Sequence, residues 1–282
     1  MQHVFIIGAA KCGTTSLAEM LQQHQDICVS NPKETDFFTN EGIQKGNSWY
    51  EQCYAHEPSA DIRVDASVSY SAGWGGGCDN IAKRIYDFSP SAKIIYLVRD
   101  PLARTWSAYW HARRSEYEDK SFMDSVSNLN IDHIQASLYH KRLQEYQQYF
   151  ELQNIKVISQ KQLLSCPQEK ADEIFDWLKI ETTEIKPSKA NESYEVSGFG
   201  LLLHRFLPIR FVKFISRNIR KGFPSKLQRL IKSIYSKPLP TLNNKEIEYL
   251  VSVFEKDSQN LLDDYGVDVR TGDWWPDRLG RN

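Results

Sequence analysis

Lys11, Thr14, Thr15 and Ser16 fall within one short stretch, directly after the apolar run Val4-Phe5-Ile6-Ile7-Gly8 and directly before the helical pattern Leu17, Met20, Leu21. Strand, loop and helix in that order bring backbone N–H groups and the positive end of a helix dipole to the loop. With Cys12 and Gly13 between the lysine and the hydroxyls, the stretch suits an anion, and a nucleotide phosphate is the natural guest. An ordinary strand-to-helix turn with a solvated lysine is the bland reading. A Walker loop, G-x-x-x-x-G-K-[ST], begun at Gly8 would repeat its glycine at Gly13 but would need its lysine where Thr14 stands. The lysine has moved toward the strand.

A second stretch, Lys93-Ile94-Ile95-Tyr96-Leu97-Val98-Arg99-Asp100-Pro101, reads as a strand ending in an arginine, with Pro101 where the first turn of a helix tolerates it. Arg99 at the strand's carboxyl end and Ser107 about two turns into the helix face one crevice above a sheet; Arg104, Tyr109, His111, Arg113 and Arg114 follow on the same helix. A planar guanidinium suits phosphate because it donates two bonds at once. Asp100 is open to a different reading, the magnesium ligand of a kinase-type site, against which stand the missing Walker lysine and the neighbouring arginine charge. A third stretch, Asn31-Pro32-Lys33-Glu34-Thr35-Asp36-Phe37-Phe38, is a loop in which proline blocks the backbone ladder and charges alternate beside two aromatic residues. On its residues alone it is a surface turn with a solvated Lys33/Glu34 pair.

K-x-G-T-T-S-L from Lys11 to Leu17 resembles the 5′-phosphosulfate loop of sulfotransferases that use 3′-phosphoadenosine 5′-phosphosulfate (PAPS). R-D-P-x-x-R-x-x-S-x-Y from Arg99 to Tyr109 resembles their 3′-phosphate motif, and P-K-E-x-x-F-F from Pro32 to Phe38 the acceptor segment of heparan-sulfate-type carbohydrate sulfotransferases. The resemblance implies a PAPS-dependent sulfotransferase whose product is 3′,5′-ADP and which needs no metal. It implies Glu34 as general base, Lys11 as the cation on the leaving phosphate, Lys11 to Ser16 on the 5′ side, and Arg99 and Ser107 on the 3′-phosphate. His111 is implied near the transferring group, or as the base in an enzyme that dispenses with Glu34; a structural histidine is the plain alternative. Arg63 to Tyr70 resembles the family's E-K-[ST]-x-x-Y segment, with Asp65 replacing the glutamate and Ala66 a frequent lysine. Asp65 then either supports the site or caps a turn. A metal-dependent P-loop kinase and a nucleotide-binding protein without transferase activity are the competing classes.

The elements that must position these residues follow from apolar patterning. Ile27 to Val29 and Ile155 to Ile158 read as further strands; Thr15–His24, Asp132–Leu152, Ala171–Leu178 and Lys245–Tyr265 read as helices, the last ended by Gly266. Strands alternating with helices predict an α/β, P-loop-like three-layer fold, a central parallel sheet flanked by helices, with ligands beyond the strands' carboxyl ends. One domain over 1–282 is expected, with 1–180 as nucleotide-binding core and 196–245 as a basic helical segment. Gly73 to Gly77 reads either as a flexible loop beside the acceptor or as a plain surface loop, and Trp274 and Trp275 as pins for the tail.

A hydrophobic content of 41% and a charged content of 25% are those of a soluble globular chain. Five scattered cysteines suggest reduced thiols rather than a disulfide framework or a zinc site. A core strand starting at Val4 and the lack of a long apolar run point to a cytoplasmic protein. The net charge of −1 conceals a segment, Val196 to Lys245, with eleven basic residues and no acid. The resemblance implies that Lys221 and Gly222 close over the nucleotide there. Its charge also suits an acidic glycan, or an anionic membrane carrying a glycolipid acceptor. The acceptor is expected to be a small molecule or carbohydrate; no nucleic-acid module is present in the sequence.

Overall fold

A computed structural model describes residues 1–72, 80–114, 119–127, 132–186, 195–196, 236–237, 239–272 and 274–275. Val4, Phe5, Ile6 and Ile7 are all fully buried, so β1 (Gln2–Gly8) presents no face to solvent and runs through the middle of a sheet. The same is true of Ile94 to Val98 in β4 (Lys93–Val98). With β2 (Ile27–Val29), β3 (Ile62–Asp65) and β5 (Ile155–Ser159) they form a five-stranded, all-parallel sheet of order β2-β3-β1-β4-β5. Glu195–Val196 and Ser236–Lys237 pair separately as a short antiparallel ladder.

Parallel neighbours need crossovers, and these are helical. The described helices are α1 (Thr14–Leu21), α2 (Asn47–Gln52), α3 (Ser69–Ala72), α4 (Ile81–Phe88), α5 (Pro101–Arg114), α6 (Phe122–Val126), α7 (Asp132–Gln135), α8 (Tyr139–Gln147), α9 (Gln160–Ser165), α10 (Pro167–Leu178) and α11 (Asn244–Tyr265). The α/β, parallel-sheet expectation is met. From β1 the chain winds outward to β2 and back through β3, then crosses to β4 and on to β5, so the winding reverses between β1 and β4. Crevices at such reversal points are the ligand sites of open α/β sheets. The Lys11 loop leaves β1 there, and Arg99 leaves β4 beside it.

One expected element is wrong as drawn. Asp132–Leu152 is not a continuous helix but α7, a break at 136–138, and α8. Ser137 turns its hydroxyl to Thr105 Oγ1 at 2.8 Å, and the Asp257 carboxylate accepts from the backbone N–H groups of His140 and Lys141, both at 3.0 Å, capping α8 from a distant helix. That tertiary cap outweighs the local helical pattern. α11 is bounded as its residues dictate, by an Asn243/Glu246 capping box and by Gly266 in the left-handed region. Its Leu250, Val251 and Phe254 pack with Leu102 and Trp106 of α5 and with Trp275 in a second core beside the main one.

Candidate functional site

At the carboxyl end of β1 the backbone must turn out of the sheet within a tight space. A Cβ on Gly8 would lie 2.1 Å from Ser71 Oγ, and Gly8 has φ of 148°, so only glycine serves there. The loop is then tied to β4 by Ala9 N–H donating to Leu97 O at 2.7 Å. Gly13 stands at the N-cap of α1 and no side chain caps that helix, which leaves its first-turn N–H groups to a ligand. Thr14 and Ser16 are buried beneath this turn and Thr15 is half-buried. Cys12 is turned inward, its N–H on Ala9 O at 3.1 Å and its buried thiol against Tyr139 Oη and Ala10 O.

Two arginines from the second motif clamp the same loop. Arg99 donates from Nη1 to Lys11 O at 3.1 Å. Arg104 is completely buried and donates from Nε to Ala10 O at 3.1 Å and from Nη1 to His133 O at 2.9 Å, while its Nη2 is buried without a hydrogen-bond partner. Burial and then the charges of Arg114, Arg99 and Arg104 push the Lys11 ammonium down to about 8. Burial and neighbouring cations both disfavour the charged form of a lysine. The arrangement fits a polyanion, whose charge would relieve the repulsion, and fits the two phosphate groups of a PAPS-like ligand.

Beyond the carboxyl ends of β4 and β5 lies a cavity of about 370 Å³ lined by Arg99, Asp100, Ala103, Ser159, Gln160, Lys161 and Trp274, among others. Ser107 is buried on α5 and does not line this cavity. The Asp100 carboxylate on that lining accepts three bonds: Oδ1 from Ala103 N–H at 2.9 Å, and Oδ2 from Gly272 N–H at 3.0 Å and the Trp275 indole at 2.8 Å. Asp100 is thus a helix cap and a tether, with three of its roughly four lone-pair sites taken, which weighs against the kinase-type reading of it as a metal ligand. No group of three His, Cys, Asp or Glu side chains able to hold a metal occurs among the described residues.

Glu34 is exposed at the carboxyl side of β2, with Lys33 Nζ 2.9 Å from its carboxylate. Lys33 also donates to Ala66 O at 3.0 Å, just past β3. The loop is held from below by Asp65, which is wholly buried. Its Oδ2 accepts from Thr35 Oγ1 at 2.6 Å, Tyr70 Oη at 2.7 Å and Tyr50 Oη at 3.3 Å, and its Oδ1 from Ser67 Oγ at 2.6 Å. Ser67 Oγ in turn accepts from Asp36 N–H, and Thr35 Oγ1 from Phe37 N–H. Burial raises the Asp65 carboxyl and the hydroxyl bonds oppose it. Asp65 therefore supports the Glu34 loop rather than merely capping a turn.

Lys11, Glu34 and Arg99 each follow the carboxyl end of a strand of one sheet, so these three sequence-derived candidates share an edge. His111 is exposed on α5, its Nδ1 3.4 Å from Arg114 Nη2. Lys221 and Gly222, nearly all of the basic segment 196–245 and the 73–77 loop lie outside the described residues. Sequence reading assigned no role to Arg104, Arg114 or Thr35. Arg104 could have been picked out as the second arginine of its motif; nothing marked Thr35.

A family model described as a sulfotransferase domain matches residues 1–195. Heparan sulfate glucosamine 3-O-sulfotransferase 5 of Homo sapiens is 27% identical over 179 residues, covering 59% of this chain and 50% of that one. Heparan sulfate glucosamine 3-O-sulfotransferase 3B1 of Homo sapiens is 26% identical over 186 residues, covering 63% and 46%. The chain thus spans about half the length of the curated relatives it matches. A crystal structure of a sulfotransferase from Alicyclobacillus acidocaldarius superposes with a TM-score of 0.67 at 23% identity, covering 95% of this chain and 97% of that one, a likeness of fold.

Proposed function

This chain belongs to the sulfotransferase domain family, and from that premise we propose that it transfers a sulfuryl group from PAPS to a hydroxyl of a carbohydrate acceptor, releasing 3′,5′-ADP. The observation that carries the reading is the convergence of Lys11, Arg99 and Arg104 on one loop at an uncapped helix start, the two arginines donating to the Lys11 and Ala10 carbonyls. The N–H groups opening α1, with Lys11, Thr14, Thr15 and Ser16, hold the 5′ side of the donor; Arg99, with Ser107, holds the 3′-phosphate. When bound, the donor supplies an activated sulfuryl group on a phosphate leaving group. Lys11 places positive charge where that phosphate accumulates negative charge, in a site preorganised before the reaction. Glu34 accepts the acceptor hydroxyl proton at its carboxylate, which stands exposed to an incoming acceptor. The P-K-E-x-x-F-F segment, and relatives named for heparan sulfate glucosamine, support a sugar hydroxyl as the acceptor.

Calorimetric titration with 3′,5′-ADP and, separately, with ATP–Mg²⁺ tests the donor, and transfer of labelled sulfate from PAPS to glucosamine-containing oligosaccharides tests the acceptor. Metal-independent binding of 3′,5′-ADP that Arg99→Ala abolishes is expected. Glu34→Gln should bind 3′,5′-ADP normally and lose roughly a hundredfold or more in turnover, the usual worth of a positioned general base. Binding of ATP–Mg²⁺ alone would refute the donor, and full activity of Glu34→Gln would refute the base.

A further inference from the structure

Thr271, Gly272 and Trp274 lie well beyond the 1–195 that match the family model, yet they line the same cavity as Arg99. After α11 the chain turns back along the protein, with Val269 buried in the main core and Trp275 in the second one. Between these anchors Thr271, Gly272 and Trp274 face the cavity. What fixes their position is one carboxylate oxygen: Asp100 Oδ2 accepts from both Gly272 N–H and the Trp275 indole. The approach is so close that a Cβ on Gly272 would lie 2.9 Å from that same oxygen. The other oxygen caps α5 at Ala103, itself a cavity residue. A carboxylate that accepts from three N–H donors on two distant parts of the chain is firmly oriented, because rotating it would break those bonds together.

We propose that this strap is a working part of the donor site, with Asp100 as its positioning residue. Asp100 sits immediately next to Arg99, so the bonds that hold the strap also hold the turn from which the Arg99 guanidinium reaches Lys11 O. The strap thereby sets both the width of the cavity and the aim of the arginine, and Trp274 lends it an aromatic surface. The ligand class is a nucleoside bearing phosphate: two cations, Arg99 and Lys161, and the uncharged polar groups of Ser159 and Gln160 line the remaining walls. This inference rests on the donor reading above and extends it to residues outside the motifs.

The test compares Trp275→Phe, which keeps an aromatic side chain but deletes the N–H donor, and Asp100→Asn, which turns an amide N–H₂ or a weaker acceptor toward the strap, with Phe254→Leu. The last weakens the same second core, in which Trp275 also packs, while leaving both hydrogen bonds to Asp100 Oδ2 in place. Each is assayed for 3′,5′-ADP affinity by calorimetry, for the KM of PAPS and of the acceptor separately, and for thermal unfolding. The two strap variants should lose about tenfold in 3′,5′-ADP affinity and raise the KM of PAPS alike, the scale expected of a misplaced binding group. The acceptor KM should stay unchanged, and Phe254→Leu should lose stability without losing affinity. Wild-type affinity in both strap variants, or an equal loss in Phe254→Leu, would overturn the inference while leaving the donor reading intact. Failure of the wild-type protein itself to bind 3′,5′-ADP would overturn the donor reading and this inference with it.

Discussion

Titrating 3′,5′-ADP into the protein above neutral pH should draw protons from the buffer, because the ligand arrives at a lysine that has partly lost its own. With the Lys11 ammonium at about 8 in the ligand-free protein, against an ordinary value of 10.5, the lowering corresponds to about 3 kcal/mol of unfavourable burial and repulsion. Phosphate oxygens at the loop reverse that repulsion and return Lys11 to its ordinary value or above. Uptake should then be below about 0.1 proton at pH 7, about 0.5 at pH 8 and about 0.9 at pH 9, following the neutral fraction of Lys11. The phosphates are fully ionised across the upper two points and add no proton of their own. The linkage has a definite sign: a lysine lowered by folding weighs against the folded state while charged. The ligand-free protein should gain stability from this group as pH climbs from about 8 to 10.5, while ligand affinity falls over the same window. Calorimetry in pairs of buffers with different ionisation enthalpies reads the proton number directly. No uptake at pH 9, or the same uptake in Lys11→Met, would refute the reasoning.

Three further outcomes follow from the geometry. Asp65→Ala strands the hydroxyls of Thr35, Ser67, Tyr50 and Tyr70 and should cost about 3 kcal/mol or more in urea unfolding; a loss within experimental error of zero would mean the network is not structural. Gly8→Ala drives a methyl group into Ser71 Oγ from a left-handed backbone and should cost about 2–4 kcal/mol, lowering the melting temperature by calorimetry. His3, whose imidazole is pushed down to about 4 by burial and Arg63, stays neutral in the folded state while an unfolded chain protonates near 6.5. Stability from this residue is therefore present above pH 6.5 and lost as pH falls toward 4, by up to about 3 kcal/mol, and His3→Phe should flatten that part of an acid-unfolding profile.

How much of this could be read from the chain depends on sequence distance. The Lys11 loop and the strand that ends in Arg99 are each written in a contiguous run, apolar residues followed by donors, so element and role are visible together. β4 and β1 declare themselves as central because nothing polar interrupts them until the ligand side. Asp100 shows the limit: its neighbours suggest a helix start, which is half right, but its other oxygen is claimed by Gly272 and Trp275. The break between α7 and α8 failed for the same reason, since the cap on α8 comes from Asp257 in α11. Asp65 looked like a weakened copy of a motif glutamate, whereas burial beneath Thr35 and Ser67 makes it the anchor of a loop that precedes it in the chain. Local patterning carries periodicity and chemistry; it carries nothing about a hydrogen bond closed over a hundred residues.

The two bonds to Asp100 Oδ2 span 172 and 175 positions. During synthesis, Arg99 and the Lys11 loop emerge early, and at ordinary ribosomal speed roughly 9–35 s pass before Trp275 follows. Through that interval the sheet can pair and the cationic loop can form, but the cavity lacks a wall and the arginine turn lacks its tether. On the donor reading proposed above, a nascent chain is an incomplete receptor for nucleotide, and competence arrives as a late step rather than growing in proportion to length. Long-range closure of this kind slows folding, and here it also sets the order in which the molecule acquires its parts: framework first, charge second, and a closed pocket only when the strap docks.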